Sequence, residues 1–199
     1  MFAMLRKTVL AVAVAFASVA CGGDSDLSSN PTSPDAAGSL NIRITDSPFG
    51  AAKSVLVTFS EVAVQRGSDW TRLPFPDGST NSWMCDLKKL ENNAQDLLAT
   101  GAPAQGDYTW VRVVVSSARV YLQNSAQSAT PCAKTIAAPA GESYAMTIQS
   151  SEGKDNGTFP VRGTGATNVL IDFDGEASIT EPSTNNYVLN PVVRVVGVQ

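Results

Sequence analysis

The chain has 199 residues, with 14 basic and 18 acidic side chains, three cysteines and no histidine. The missing histidine excludes a Ser-His-Asp or Cys-His pair, a histidine general base and histidine-ligated zinc. The acidic balance argues against nucleic acid, whose affinity rests on Lys and Arg meeting phosphates.

Residues 1–20 have the layout of a secretory signal peptide: Arg6 and Lys7, an uncharged apolar run from Thr8, then small residues at Ser18-Val19-Ala20. The run is too short for a spanning helix, which needs about 20 apolar residues. Ser18-Val-Ala-Cys21 resembles the lipobox of bacterial lipoproteins, with Ser18 where Leu is usual. The resemblance implies that Cys21 is lipidated and anchors the protein to a membrane. Ordinary cleavage at the same bond would instead release a soluble, secreted protein. Gly22 rather than Asp follows the cysteine; by the same resemblance this favours the outer membrane in two-membrane bacteria.

Residues 21–37 read as the attachment cysteine and a flexible tether. Asp24–Gly38 has one Leu, no aromatic, and much Ser, Pro and Asp, too little apolar surface to offset ordering entropy. Without Arg6 and Lys7 the chain carries 12 basic and 18 acidic residues.

Residues 38–199 read as one all-β domain. Leu40, Ile42 and Ile44 alternate with polar residues as a half-buried strand does. From Ser54 to Gln65, Val55, Val57 and Phe59 share one parity and Val62 and Val64 the other, which predicts a β-bulge at Ser60-Glu61. Trp70–Leu73 is a short returning strand and Met84–Leu90 another. Asn92–Thr100 is read as the site of the few helical turns, around Gln95–Leu98. The longest run starts at Gly106, with a break at Ser116-Ser117. Lys134–Ala138, Tyr144–Gln149 and Phe159–Val161 are short strands. In Asn168–Asp174, Val169, Ile171 and Phe173 point inward, with Leu170, Asp172 and Asp174 outward. Tyr187–Val198 closes the domain as one covered central strand, apolar on both faces. About nine short, mostly antiparallel strands predict a single β-sandwich of general immunoglobulin-like or transthyretin-like architecture.

With Cys21 modified, Cys85 and Cys132 remain as an even pair in an oxidising compartment, and a disulfide between them is expected. The alternative is two separate thiols. No CxxC pair, P-loop or GxSxG elbow is present.

Gly38–Pro48, Trp70, Asp86-Leu87, Gly106-Asp-Tyr108, Leu170–Asp174, Ser178-Ile179 and Leu189–Val195 fall in the order seen in one family. On these residues the chain resembles domain-of-unknown-function family 4382, common in bacterial and archaeal exported lipoproteins. The resemblance implies location and fold and brings no activity with it.

Three features are candidates for function. Asp172 and Asp174, two apart on a strand, share a face about 7 Å apart. They could hold Ca²⁺ or act as acid and base; the plainer reading is a solvated strand face, or side chains that bond a neighbouring loop and stop edge pairing. Asp46 is read as capping a turn. Trp70, Trp83 and Trp110 could form an aromatic platform for sugar rings, with Trp83 the most exposed. Arg112 shares a strand face with Trp110 and could stack on it. Glu61 at the bulge is the remaining candidate carboxylate. The expectation is a tethered, non-catalytic module that binds an envelope protein or a glycan and needs no cofactor beyond a conceivable Ca²⁺. The alternatives are a carboxylate-dependent hydrolase, through Asp172, Asp174 or Glu61, and a structural Ca²⁺-stabilised envelope protein.

Overall fold

A computed structural model describes residues 37–47 and 49–199. The readings placed on residues 1–36, including lipidation of Cys21 and the tether, lie outside the described residues.

Fifteen strands follow one another: β1 (Ser39–Ser47), β2 (Ser54–Arg66), β3 (Asp69–Leu73), β4 (Trp83–Asp86), β5 (Asp96–Gly101), β6 (Gly106–Tyr108), β7 (Trp110–Tyr121), β8 (Cys132–Ala133), β9 (Ser143–Ile148), β10 (Glu152–Asp155), β11 (Phe159–Val161), β12 (Ala166–Asp174), β13 (Ile179–Ser183), β14 (Asn186–Leu189) and β15 (Val193–Val198). One turn of 3-10 helix (Leu87–Lys89) and one of α-helix, α1 (Gly175–Ser178), complete the described elements. The smaller sheet runs β15-β12-β1-β5. The larger runs β13-β14-β9-β7-β2-β4-β8, with β10 also on β7 and β3 also on β2, and β11 pairs with β6. Most pairs are antiparallel; β1–β12 and β14–β9 are parallel.

The core lies between the inner faces of the two sheets. Leu40, Ile42 and Ile44 of β1 and Val169, Ile171 and Phe173 of β12 meet Val55, Val57, Phe59, Val62 and Val64 of β2 and the valines of β7, all in one cluster. Phe59 meets Phe173 edge to face at 5.9 Å. The expected bulge is present, and it is double. Ser60 of β2 and Ser116 of β7 are both skipped in the pairing, so Phe59↔Val115 sits between Thr58↔Ser117 and Glu61↔Val114. The expected break at Ser116-Ser117 is therefore a bulge in an unbroken strand.

Four expectations are corrected. Asp96–Gly101 is a strand, not helical turns: Leu98 and Ala99 are buried and the segment pairs antiparallel with β1. The Met84–Leu90 strand stops at Asp86, whose carboxylate accepts the Lys88 N–H and turns the chain into the 3-10 turn. Lys134–Ala138 is irregular. Tyr187–Val198 is two strands in different sheets, parted around Pro191, which has no N–H for a ladder. Its second half, β15, is an edge strand with Val196 and Val198 exposed, not a covered central one.

The β15 edge abuts β10 and the turn after it. An added Cβ would lie 2.5 Å from Val195 at Gly157 and 2.7 Å from Val193 at Gly153, so both positions require glycine. Asp155 Oδ2 accepts the Val195 N–H at 2.8 Å.

Cys85 and Cys132 are bonded, face each other across β4 and β8, and are buried. They pin the segment after β7, whose Ala126 and Ile136 close a second small core over Leu56 and Tyr121. The bond spans 47 residues, so replacing both cysteines by alanine should cost about 3–4 kcal/mol in the chain-entropy account. Urea unfolding of the double variant against the oxidised protein measures this.

Candidate functional site

The parallel pairing of β1 with β12 brings two strand ends together. Ser47 lies beside Asp174 and Thr45 beside Asp172, on the face away from the core. Of the two plain readings of Asp172 and Asp174, the structure shows bonded side chains rather than a solvated face: both are buried. Each has a local partner. Asp172 Oδ2 accepts from Ser47 Oγ at 2.9 Å. Asp174 Oδ1 accepts the Ala177 N–H at 2.9 Å, capping α1, and its Oδ2 meets Arg194 at 2.9 Å. These carboxylates hold the ends of the sheet, and no group of three or more metal-ligating side chains forms among the described residues.

Asp46 has the opposite parity and points to the core side, in phase with Leu40, Ile42 and Ile44. Its Oδ1 accepts the Gly175 N–H at 3.1 Å, while its Oδ2 is buried with no hydrogen-bond partner. A Cβ on Gly175 would come within 2.9 Å of Oδ1, so only glycine lets the helix turn approach. Burial raises the Asp46 pKa from 3.8 to about 8; the charges of Asp172 and Glu91 add to the rise, and the Gly175 N–H and Lys88 oppose it. At neutral pH this is a neutral acid inside the fold, a role beyond the expected turn cap. Burial pushes Asp86 up too, against three donors: Ser54 Oγ and the N–H groups of Val55 and Lys88.

The second region is the outer face of the larger sheet. Beyond the double bulge, Glu61, Ala63 and Gln65 of β2 point outward, beside Val114, Arg112 and Trp110 of β7 and, on the other side, Arg72 and Trp70 of β3. Arg112 stacks on Trp70, its guanidinium carbon 4.5 Å from the ring centre. Trp70, and not Trp110, is thus its aromatic partner. The same guanidinium is ion-paired with Glu61, which also lies 4.0 Å from Arg72. Glu61 is therefore bound by two arginines. Trp70 and Trp110 flank Gln65 across three adjacent strands, and with Lys154 of β10 they line an open slot of about 290 Å³.

Trp83 does not belong to this face. It stacks on the buried Phe75 at 6.3 Å, packs against the core, and its indole N–H is buried without a partner. A larger groove of about 390 Å³ lies further along the same sheet, between Thr58, Ser117 and Arg119 on one side and Met84 and Ile136 on the other. Gln65 and Lys154 were not singled out in the sequence. The signal for Gln65 is its parity with Glu61 after the bulge; Lys154 sits on a four-residue strand that no alternation marks.

Fold and faces together define an all-β sandwich module with a charged, aromatic outer sheet face. The chain belongs to the family described as Domain of unknown function (DUF4382), whose model matches residues 37–191. No curated protein and no solved structure matches it.

Asp46 keeps its proton up to about pH 8 when folded but only to about pH 4 when unfolded. The unfolded chain therefore binds fewer protons between those values, and stability falls as pH rises through that window. In Asp46→Asn the carbonyl still accepts from Gly175, so the melting temperature should rise near pH 8 and that part of the decline should vanish. Melting scans of both proteins from about pH 5 to pH 8.5 test this. Since Asp172 and Asp174 already hold protein donors, adding EDTA should leave the melting midpoint unchanged.

Proposed function

We propose that this protein is an extracytoplasmic lipoprotein, held on the bacterial envelope through lipid on Cys21, whose β-sandwich is a non-catalytic binding module. The observation that carries the binding half is the outer sheet face, where Trp70, Trp110 and Arg112 stand together on paired strands. An aromatic and arginine-rich cluster held by ion pairs is the kind of surface that anchors a partner. The candidate carboxylates support a non-catalytic reading: Asp172, Asp174 and Glu61 are each bound by donors of the fold. The anchoring half rests on Ser18–Cys21 and the polar stretch behind it. Lipid anchoring follows from about 0.8 kcal/mol per buried CH₂, and several chains hold a protein on a membrane durably. With Gly22 after the cysteine, the outer membrane is the proposed address.

Fractionation of cells expressing the chain and its Cys21→Ser variant tests the anchor. The parent should sediment with membranes and begin, by mass spectrometry, at an acylated Cys21; the variant should lose the acyl mass and leave the membrane fraction. Met1 still attached, with no acyl group on Cys21, overturns it. For the binding half, purified parent protein should be retained on isolated envelopes and the Trp110→Ala protein should not.

A further inference from the structure

The slot on the outer face has a chemistry of its own. Trp70 and Trp110 form two sides, Gln65 lies between them, and Lys154 stands on the rim. Gln65 is the pairing partner of both tryptophans, so their Cα atoms are two strand spacings apart, about 10 Å. Trp70 is held in place: Arg112 lies on its ring, and Glu61 holds Arg112. A wall fixed before the ligand arrives loses little freedom on binding.

Two indoles beside a carboxamide suit a saturated ring with apolar faces and a hydroxylated edge. A pyranose is such a ring: its C–H faces meet the indoles and its hydroxyls can both donate to and accept from Gln65. Lys154 narrows the class. Arg112 beside it is committed to Glu61, with Glu152 at 3.9 Å, whereas Lys154 makes no ion pair among the described residues. An uncommitted ammonium next to a ring-sized slot fits a carboxylate carried on the ring. A nucleotide would offer a flat ring too, but its phosphates carry more charge than Lys154 alone can match on a chain that is acidic overall.

From this we infer that the slot formed by Gln65, Trp70, Trp110 and Lys154 binds a uronic acid residue of an acidic polysaccharide. The inference rests on the binding-module reading and names its ligand class. The ring stacks against Trp110 and Trp70, and its carboxylate meets Lys154.

The test is titration of the full chain, purified in detergent, with short oligogalacturonates, alginate oligosaccharides and glucuronate-containing oligosaccharides, followed by tryptophan fluorescence and calorimetry. Methyl-esterified oligogalacturonate, which keeps the ring and loses the charge, is the control. At least one acidic oligosaccharide should bind saturably, and added salt should weaken it. Trp110→Ala and Lys154→Ala should each weaken it roughly tenfold, and if galacturonate is the ligand, its ester should bind as weakly to the parent as the acid does to Lys154→Ala. Lys154 is exposed, so its variant should melt with the parent, which separates lost contact from lost fold. No saturable binding across the panel, equal binding by the ester, or unchanged binding by Trp110→Ala would overturn the proposal. If the panel fails while envelopes still retain the protein through Trp110, only the ligand class is wrong. If retention is lost as well, the binding-module reading falls with it.

Discussion

The constraint on which the larger sheet depends is that β2 and β7 each carry one extra residue at the same place. Side chains on a strand alternate, so a single added residue flips everything beyond it to the other face. Ser60 in β2 alone would leave Val62 and Val64 opposed to the wrong residues of β7. Ser116 restores the match, so Val62 meets Val113 and Val64 meets Val111 inside the core. The same shift sends Glu61, Ala63 and Gln65 outward. The outer face with its tryptophans and arginines follows from this pair of insertions as much as the valine core does.

Polar groups are treated differently on the outer sheet face and at the strand ends, where Asp86 of β4 and Asp46 of β1 are both buried. On the outer face of the larger sheet charge stays near water and is neutralised sideways, Arg72 to Glu61 to Arg112, with tryptophan as a third partner. Such an array holds side chains in place without the heavy desolvation that full burial would bring. At the end of the smaller sheet a carboxyl is taken inside, where an ionised group with one free oxygen would be very costly. Asp46 answers by holding its proton. Its place in the fold is set by backbone: one bond from Gly175, and its own N–H bonded to Leu90 O at 3.2 Å.

What could be read in the sequence was local and periodic. The alternation of Leu40, Ile42 and Ile44, the change of parity after Phe59 and the even cysteine pair each appear in the fold where they were expected. Pairing across distance was harder to read. Asp96–Gly101 lacks a clean alternation because Leu98 and Ala99 are adjacent and both buried, so its strand character comes from β1 beside it. Val193–Val198 has the composition of a central strand yet lies at an edge. The site was half legible. Trp110 and Arg112 share a face by period two, but the match of Arg112 with Trp70 depends on β3 folding back on β2. Trp83 stands in a loop-like run of polar residues, and its packing on Phe75 comes from the tertiary fold alone.

The side chain of Asp155 reaches the backbone of β15 at Val195, where an open strand edge would otherwise present a free N–H. Strand edges invite a second chain to add its own backbone, and a carboxylate placed in line removes one of the docking points such growth requires. The two glycines beside it let this guard sit close enough to act. A second chain adding to the β15 edge would first have to displace this side chain.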